Sequence, residues 1–240
     1  MEGSGSLSEA WERHAARWVR WTRVVGHDVY YDQLNWPAFH MLVPPAGRRT
    51  LDVGCGEGRV GRRLSAEGHR VAGIDSSPTL AGLARQAGGF QEIVCGDAAK
   101  LPWEAQSFDL ALAFMSLHDM EDLSGAVAEI ARVLEPGGRF CLAIVHPLNR
   151  APEALENYFD ERRFADDLEH DGLSMTFEGI DRPLEAYSRA LSRVGFLVEE
   201  LREPRPTAAA LASSPRLTKT AKRPYFLHMR CVLAPGCTGR

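Results

Sequence analysis

From Arg49 onward, short apolar runs alternate with stretches whose apolar positions recur at every third or fourth residue. The runs Thr50 to Val53, His69 to Ile74, Gln91 to Cys95, Ser107 to Phe114 and Arg139 to Val145 read as buried strands. Between them, the stretch after the first glycines to Gly68, Thr79 to Gln86 and Leu123 to Leu134 read as helices. Regular alternation of this kind predicts an α/β fold, a parallel sheet with helices on both faces. Ahead of it, Leu7, Trp11, His14, Ala15, Trp18 and Trp21 share one face of a helix from Leu7 to Trp21, and Trp36 to Leu42 forms a second, short one. Behind it, Asn149 to Asp181 breaks the rhythm with polar, acidic, weakly periodic sequence. Pro183 to Val194 then reads as a helix, Phe196 to Leu201 and Tyr225 to Leu233 as strands, and Arg202 to Lys222 as a Pro/Ala-rich connector, with a loose tail from Ala234 to Arg240.

The 240 residues suffice for one α/β domain with additions. A formal charge of -4, from 28 basic and 32 acidic residues, gives no polyanion-binding footprint and speaks against nucleic acid as a partner. No apolar run approaches the roughly 18 residues of a membrane span. Met1-Glu2-Gly3-Ser4-Gly5-Ser6 has neither the basic start nor the apolar core of a secretory signal, so a cytoplasmic location is expected. The five cysteines form no C-x-x-C pair and read as reduced, mostly buried small hydrophobes.

Candidate chemistry gathers where the first strand breaks into glycines, at Asp52-Val53-Gly54-Cys55-Gly56-Glu57-Gly58-Arg59-Val60-Gly61. Strand, glycine turn and helix make a nucleotide-binding corner, where the backbone can approach a ligand with no Cβ in the way. Dinucleotide-binding folds place G-x-G-x-x-G at the same corner. Here a row of acids accompanies it. Asp52 precedes Gly54, Asp75 ends the second strand, and Asp97 follows the third in Gly96-Asp97-Ala98-Ala99-Lys100-Leu101-Pro102. An acid ending the second strand recognises a ribose in dinucleotide-binding proteins too, but a dehydrogenase has little reason to supply the third.

These stretches resemble motifs I, II and III of the class I S-adenosylmethionine-dependent methyltransferases, and Phe108-Asp109 and Leu134-Glu135-Pro136-Gly137-Gly138 resemble further features of that family. The resemblance is specific from about Arg48 to Leu148 and one of pattern elsewhere. It implies a Rossmann-like fold with a seven-stranded, mostly parallel sheet and an antiparallel last strand. A helical lid (1–45), a cofactor-binding core (46–148), a cap inserted after strand five (149–182) and a segment completing the sheet (183–240) would make up the chain. It implies S-adenosylmethionine as cofactor and S-adenosylhomocysteine as product. Asp52 would face the charged amino-acid end of the cofactor, with Gly54, Cys55, Gly56 and Gly58 in the turn. Asp75 and Ser76 would serve the ribose, Asp97 and Ala98 the adenine, and Phe114 would complete the set. Trp18, in Trp11-Glu12-x-x-Ala15-x-x-Trp18, would close over the cofactor.

Methyl transfer from a sulfonium is an in-line displacement, for which the protein aligns the acceptor and, where needed, removes a proton. His118 and His146, just beyond strands four and five, are the candidate bases. Tyr30 and Tyr31, with His14 and His27 in second rank, are candidates for orienting the acceptor. The expected acceptor is a small molecule of aromatic or heteroaromatic type, such as a phenol or indole. Phe114-Met115-Ser116-Leu117 stands where amino-group and base methylases carry N/D-P-P-Y/F. Acids and histidines show no ligand spacing for a catalytic metal. Two other readings stay open: an NAD(P)-dependent oxidoreductase, and a non-catalytic S-adenosylmethionine-binding partner or sensor. So do the choice among O-, N- and C-methylation and the oligomeric state, a homodimer among the options.

Overall fold

A computed structural model describes residues 5–149 and 157–235. Its strands are β1 (Thr50–Val53), β2 (Val71–Asp75), β3 (Glu92–Cys95), β4 (Phe108–Phe114), β5 (Leu134–Val145), β6 (Arg162–His170), β7 (Leu173–Asp181), β8 (Phe196–Arg202) and β9 (Phe226–Leu233). Seven of them form one sheet in the order β3-β2-β1-β4-β5-β9-β8. Strands β1 to β5 pair in parallel, and β9 lies antiparallel to both β5 and β8. The helices are α1 (Leu7–Arg23), α2 (Trp36–His40), α3 (Arg59–Ala66), α4 (Pro78–Ala87), α5 (Leu123–Val133), α6 (Leu184–Arg193) and α7 (Ala208–Ser213).

Along β4, Ala111 and Ala113 pack into the layer that holds α5 and α6, while Leu110, Leu112 and Phe114 pack against residues of α2 and α3. The pleat sends successive side chains to opposite faces, and both faces are covered, so the strand reads as an unbroken apolar run. Strand order reverses at β1, which has β2 on one side and β4 on the other. Such a reversal opens a crevice at the carboxyl ends of the strands.

Helix α1 begins with a capping box between Ser6 and Glu9. It is fastened to the core through Glu12, whose carboxylate accepts from the Ser77 hydroxyl and, at 2.6 and 3.2 Å, from Oγ1 and N–H of Thr79. That places a carboxylate on the first turn of α4, where the helix dipole favours it. On the other side His14 Nε2 lies 2.9 Å from Glu178 Oε1 of β7.

The polar region after β5 is an antiparallel hairpin, β6–β7, closed by Asp171-Gly172 with φ of 49° and 73°. Arg182 ties its base to the core by donating from Nη2 to the carbonyls of Met120 (2.8 Å) and Glu121 (3.1 Å). The expected connector also folds. Thr207 caps α7, a 3-10 turn spans Pro215–Ala221, and Ala210 and Leu217 pack with Val29, Leu34 and Phe226. Cys55, Cys141 and Cys231 are buried; Cys95 is exposed because β3 is the sheet edge. Cys237, with the rest of the tail from 236, and residues 150–156 of the cap lie outside the described residues. Among the described residues no helix is long and apolar enough to cross a membrane.

Candidate functional site

The crevice at the ends of β1, β2 and β4 is one continuous cavity of about 900 Å³, walled also by the lid helix, the β6–β7 hairpin and the segment around Tyr225. Of the cofactor and catalytic residues expected from the sequence, every one but Gly58 lies on this wall. Gly58 faces away: a Cβ there would stand 2.9 Å from the Phe90 ring and 3.1 Å from Ala84 Cβ. Its glycine serves helix packing and a left-handed start to α3, with φ of 89°. Gly54 is required at its place for another reason. Its φ is 72°, and a Cβ would fall 2.4 Å from Ser116 Cβ.

The glycine turn spends its own donors. The N–H groups of Gly54 and Cys55 both donate to the Ile74 carbonyl (2.8 and 3.0 Å), and that of Gly58 to the Cys55 carbonyl (3.0 Å). The Gly56 N–H donates to Asp75 Oδ2 at 2.8 Å, and Ser77 N–H to Asp75 Oδ1 at 2.9 Å. A pyrophosphate site needs such donors turned to the ligand. Here they are occupied, and the buried Glu57 carboxylate sits one residue before the α3 cap, held by Arg62 at 2.8 Å. The glycine turn therefore suits hydroxyls and a cation better than a phosphate.

Two carboxyls set that character. Asp75 is half-buried; desolvation raises its pKa against the two backbone donors that lower it, and each of its oxygens keeps a further lone pair for a ligand. Asp52 is 1% exposed and its Oδ2 has no hydrogen-bond partner. Burial, and then the neighbouring charge of Asp75, raise its pKa to about 7. At the third acid, Asp97 Oδ1 accepts from the Ala99 N–H at 2.9 Å, which shapes the turn carrying Ala98. Cys55 lines the cavity, yet its Sγ stands 3.0 Å from where a Gly73 Cβ would lie, and burial holds its thiol well above the usual range.

Over the turn, Trp18 Nε1 comes within 3.7 Å of the point a Gly56 Cβ would occupy. The Trp18 ring meets Trp11 edge-on at 5.8 Å and Phe177 of β7 at 6.1 Å, so lid and hairpin join above the corner. At the far wall, Phe114 ends β4 and Met115 follows with φ of 59°. Positive φ is rare for a residue with a long side chain and marks a local strain. The turn swings Ser116 back to donate to the Val53 carbonyl (2.7 Å) and sends His118 into the cavity.

The four catalytic candidates part ways. Tyr30 donates its hydroxyl to the Arg216 carbonyl at 3.0 Å. Tyr31 lies under the Arg59 guanidinium, 3.5 Å from ring centroid to Cζ, and burial pushes its phenol up to about 12. Its hydroxyl is buried with no hydrogen-bond partner. His146 has both nitrogens engaged: Nδ1 accepts from the Leu148 N–H at 3.0 Å, and Nε2 meets Glu203 at 2.9 Å. Burial lowers its pKa despite that glutamate. His118 is buried on the wall with Nε2 3.6 Å from Asp119 Oδ1.

The sequence reading missed Asp119, Glu12 and Arg182. Asp119 lies on the cavity wall, and burial, then the charge of Asp75, raises its pKa well above the carboxylate range. Its neighbour His118 was the only signal for it. Neither of the second-rank histidines, His14 and His27, reaches the wall.

Residues 51–142 match the family model described as a methyltransferase domain. Demethylmenaquinone methyltransferase of Tropheryma whipplei (strain Twist) is 38% identical over 116 residues, 46% of this chain and 47% of that protein. The chain thus aligns with about half the length of the curated relatives it matches first. Among solved structures, an S-adenosylmethionine-dependent methyltransferase from Mesorhizobium loti superposes with a TM-score of 0.67 at 28% identity, over 82% of this chain and 97% of that one. The fold also matches, at a TM-score of 0.59 and 21% identity, a Burkholderia thailandensis 1,6-didemethyltoxoflavin-N1-methyltransferase, over 98% of this chain and 92% of that one. Its structure holds 1,6-didemethyltoxoflavin and S-adenosylhomocysteine. With this sheet order and this glycine corner, the chain has the fold of the class I S-adenosylmethionine-dependent methyltransferases, and its residues 51–142 match a methyltransferase domain.

Proposed function

We propose that this protein transfers a methyl group from S-adenosylmethionine to a small aromatic or heteroaromatic acceptor. One observation carries the proposal: a single cavity joins a carboxylate-lined glycine corner, whose glycine N–H groups are already engaged, to a chamber of aromatic side chains. Small-ligand sites occupy about 300–1,000 Å³, so about 900 Å³ has room for a nucleoside and a compact acceptor together.

The residues fit the cofactor. Asp75 would hold the ribose hydroxyls, Asp97 and Ala98 the adenine, and the unpartnered Asp52 oxygen the ammonium of the amino-acid end. Gly56 would let it lie against bare backbone beneath Trp18. Bound there, it supplies a methyl on a positively charged sulfur, open to displacement in line. The chain's part is to orient and to enclose. Phe164 and Phe177 of the hairpin and Tyr30 and Tyr225 opposite supply flat apolar surface for a ring, and the closed lid keeps water from competing. His118, buried on the cavity wall just beyond β4, would take a proton from the acceptor where one must leave.

Calorimetric titration of the full chain with S-adenosylmethionine and with NADH tests the first half: the former should bind and the latter should not. Turnover to S-adenosylhomocysteine with phenols, indoles and amines tests the second. Absence of cofactor binding would overturn the proposal; binding without turnover of any acceptor would leave a binding protein and not an enzyme.

A further inference from the structure

Outside the cavity wall, the loop after α1 and the tip of the β6–β7 hairpin bring His27, His170 and Asp171 together. One ligand atom from each lies within 4.8 Å of the other two. His170 Nε2 and Asp171 Oδ2 are 3.0 Å apart. Around a tetrahedral zinc, bonds of about 2.0–2.2 Å set ligand atoms about 3.3 Å from one another. The hairpin pair already has that spacing, and His27 closes the remainder with a shift of about 1.5 Å at most. We propose that His27, His170 and Asp171 form a binding site for a zinc-class divalent cation that fastens the lid's trailing loop to the hairpin.

A histidine and an aspartate side by side on a hairpin turn would carry nothing alone, since such pairs are ordinary surface features. His27 makes the difference. It is 3% exposed, and neither ring nitrogen has a hydrogen-bond partner. Buried polar atoms are rarely left so, because the lost hydration goes uncompensated. Its ring is held edge-on by Trp21 at 4.3 Å and lies 5.2 Å from the His170 ring. Burial, with His170 and Arg216 nearby, lowers its pKa, which favours the neutral ring that a metal binds. The Arg216 guanidinium opposes a cation here, but it donates to the His27 carbonyl at 3.1 Å, and the carboxylates of Asp28 and Asp171 offset its charge.

Two imidazoles and one carboxylate are a donor set for zinc and its neighbours in the transition series; calcium and magnesium take oxygen. None of the three residues lines the cavity, so the ion does not reach the reacting groups. It acts on closure. Trp21, packed on His27, also meets Phe177 edge-on at 5.8 Å, so an ion at this cluster would hold the roof from its outer side.

The full chain, treated with chelator, is titrated with Zn²⁺ by calorimetry and with Co²⁺ by visible absorption. One ion per chain is expected, with ligand-field bands in the cobalt form. Tm should rise by about 5–10 °C at a free concentration a hundredfold above Kd. His170→Ala should abolish binding and Asp171→Asn should weaken it at least tenfold. Both residues sit at the hairpin tip, so the metal-free variants should keep the wild-type Tm and the wild-type affinity for S-adenosylmethionine. His27→Ala, which also disturbs packing on Trp21, serves as the third member of the series. No saturable binding at one equivalent, or binding undiminished in His170→Ala and Asp171→Asn, overturns the proposal and leaves the proposed methyl transfer untouched.

Discussion

Replacing Asp52 with Asn should make the protein more stable and, at the same time, a poorer binder of S-adenosylmethionine. The side chain is fully buried beside Asp75, one oxygen is without a partner, and its pKa is raised from 3.8 to about 7. A carboxyl raised in the folded state takes up a proton on folding between those two values. The stability it contributes is therefore present below pH 3.8 and lost as pH rises through about 7. At pH 8 that displacement, at about 1.36 kcal/mol per pH unit, costs the fold up to about 4 kcal/mol. Water entering the cavity reduces the cost, and about 2 kcal/mol is expected to be recovered by asparagine, a rise in Tm of about 4–8 °C. Asparagine keeps the shape and can still accept the Gly61 N–H, so no packing loss should mask the effect. The difference between variant and wild type should shrink steadily from pH 8 to pH 5.

Binding should move the other way. Losing a charged acceptor for the cofactor's ammonium is worth about 1.5–3 kcal/mol, a Kd raised about 10- to 100-fold. Scanning calorimetry across pH and isothermal titration of the same preparations read both quantities. A variant that is less stable at pH 8, or that binds S-adenosylmethionine like the wild type, would show Asp52 to be a structural acid and refute its place in the site.

Asp75→Ala should weaken S-adenosylmethionine binding by about 1.5–3 kcal/mol and also lower Tm, because the Gly56 and Ser77 N–H groups lose their acceptor; a wild-type Kd would take Asp75 out of the site. His118→Ala should cut kcat about 10²-fold or more with Kd for the cofactor little changed. His146→Ala should instead lower Tm, through loss of its bonds to Leu148 and Glu203, and equal kinetic damage from both variants would contradict the assignment. Glu12→Gln should speed release of S-adenosylmethionine about 2- to 10-fold in stopped-flow displacement, because the lid's hold on α4 weakens. The hydrogen bonds from Ser77 and Thr79 lower the Glu12 pKa below 4.5, so its contribution is present above pH 4.5 and lost as pH falls through the lowered value.

The parallel strands were legible because each is buried on both faces, and the cofactor corner because few residue types can make a turn of left-handed glycines ringed by acids. Glycine spacing could not tell which missing Cβ faces a ligand and which a neighbour, and Gly58, set against Phe90, shows the difference. The hairpin escaped notice although Asp171-Gly172 is a strong turn signal, because β6 is exposed along most of its length and shows no apolar alternation. The catalytic candidates could not be ranked in sequence either. Tyr30 is committed by Arg216 and His146 by Glu203, partners far along the chain that only the folded structure brings near.

Those distant partners bear on specificity. The family match ends at residue 142 and begins at residue 51, so it spans the acids and glycines of the corner but neither Trp18 nor Phe177, which meet above it. Two of the ties that hold this roof, Glu12 on α4 and Arg182 on the loop after His118, each start from a residue outside the match and end on residues within it. A relative alike over 51–142 therefore shares the groups that would hold the cofactor while owing nothing to this chain in the shape of its acceptor chamber. Exchanging the β6–β7 hairpin between two such proteins should accordingly change which acceptor is methylated and leave the affinity for S-adenosylmethionine in place.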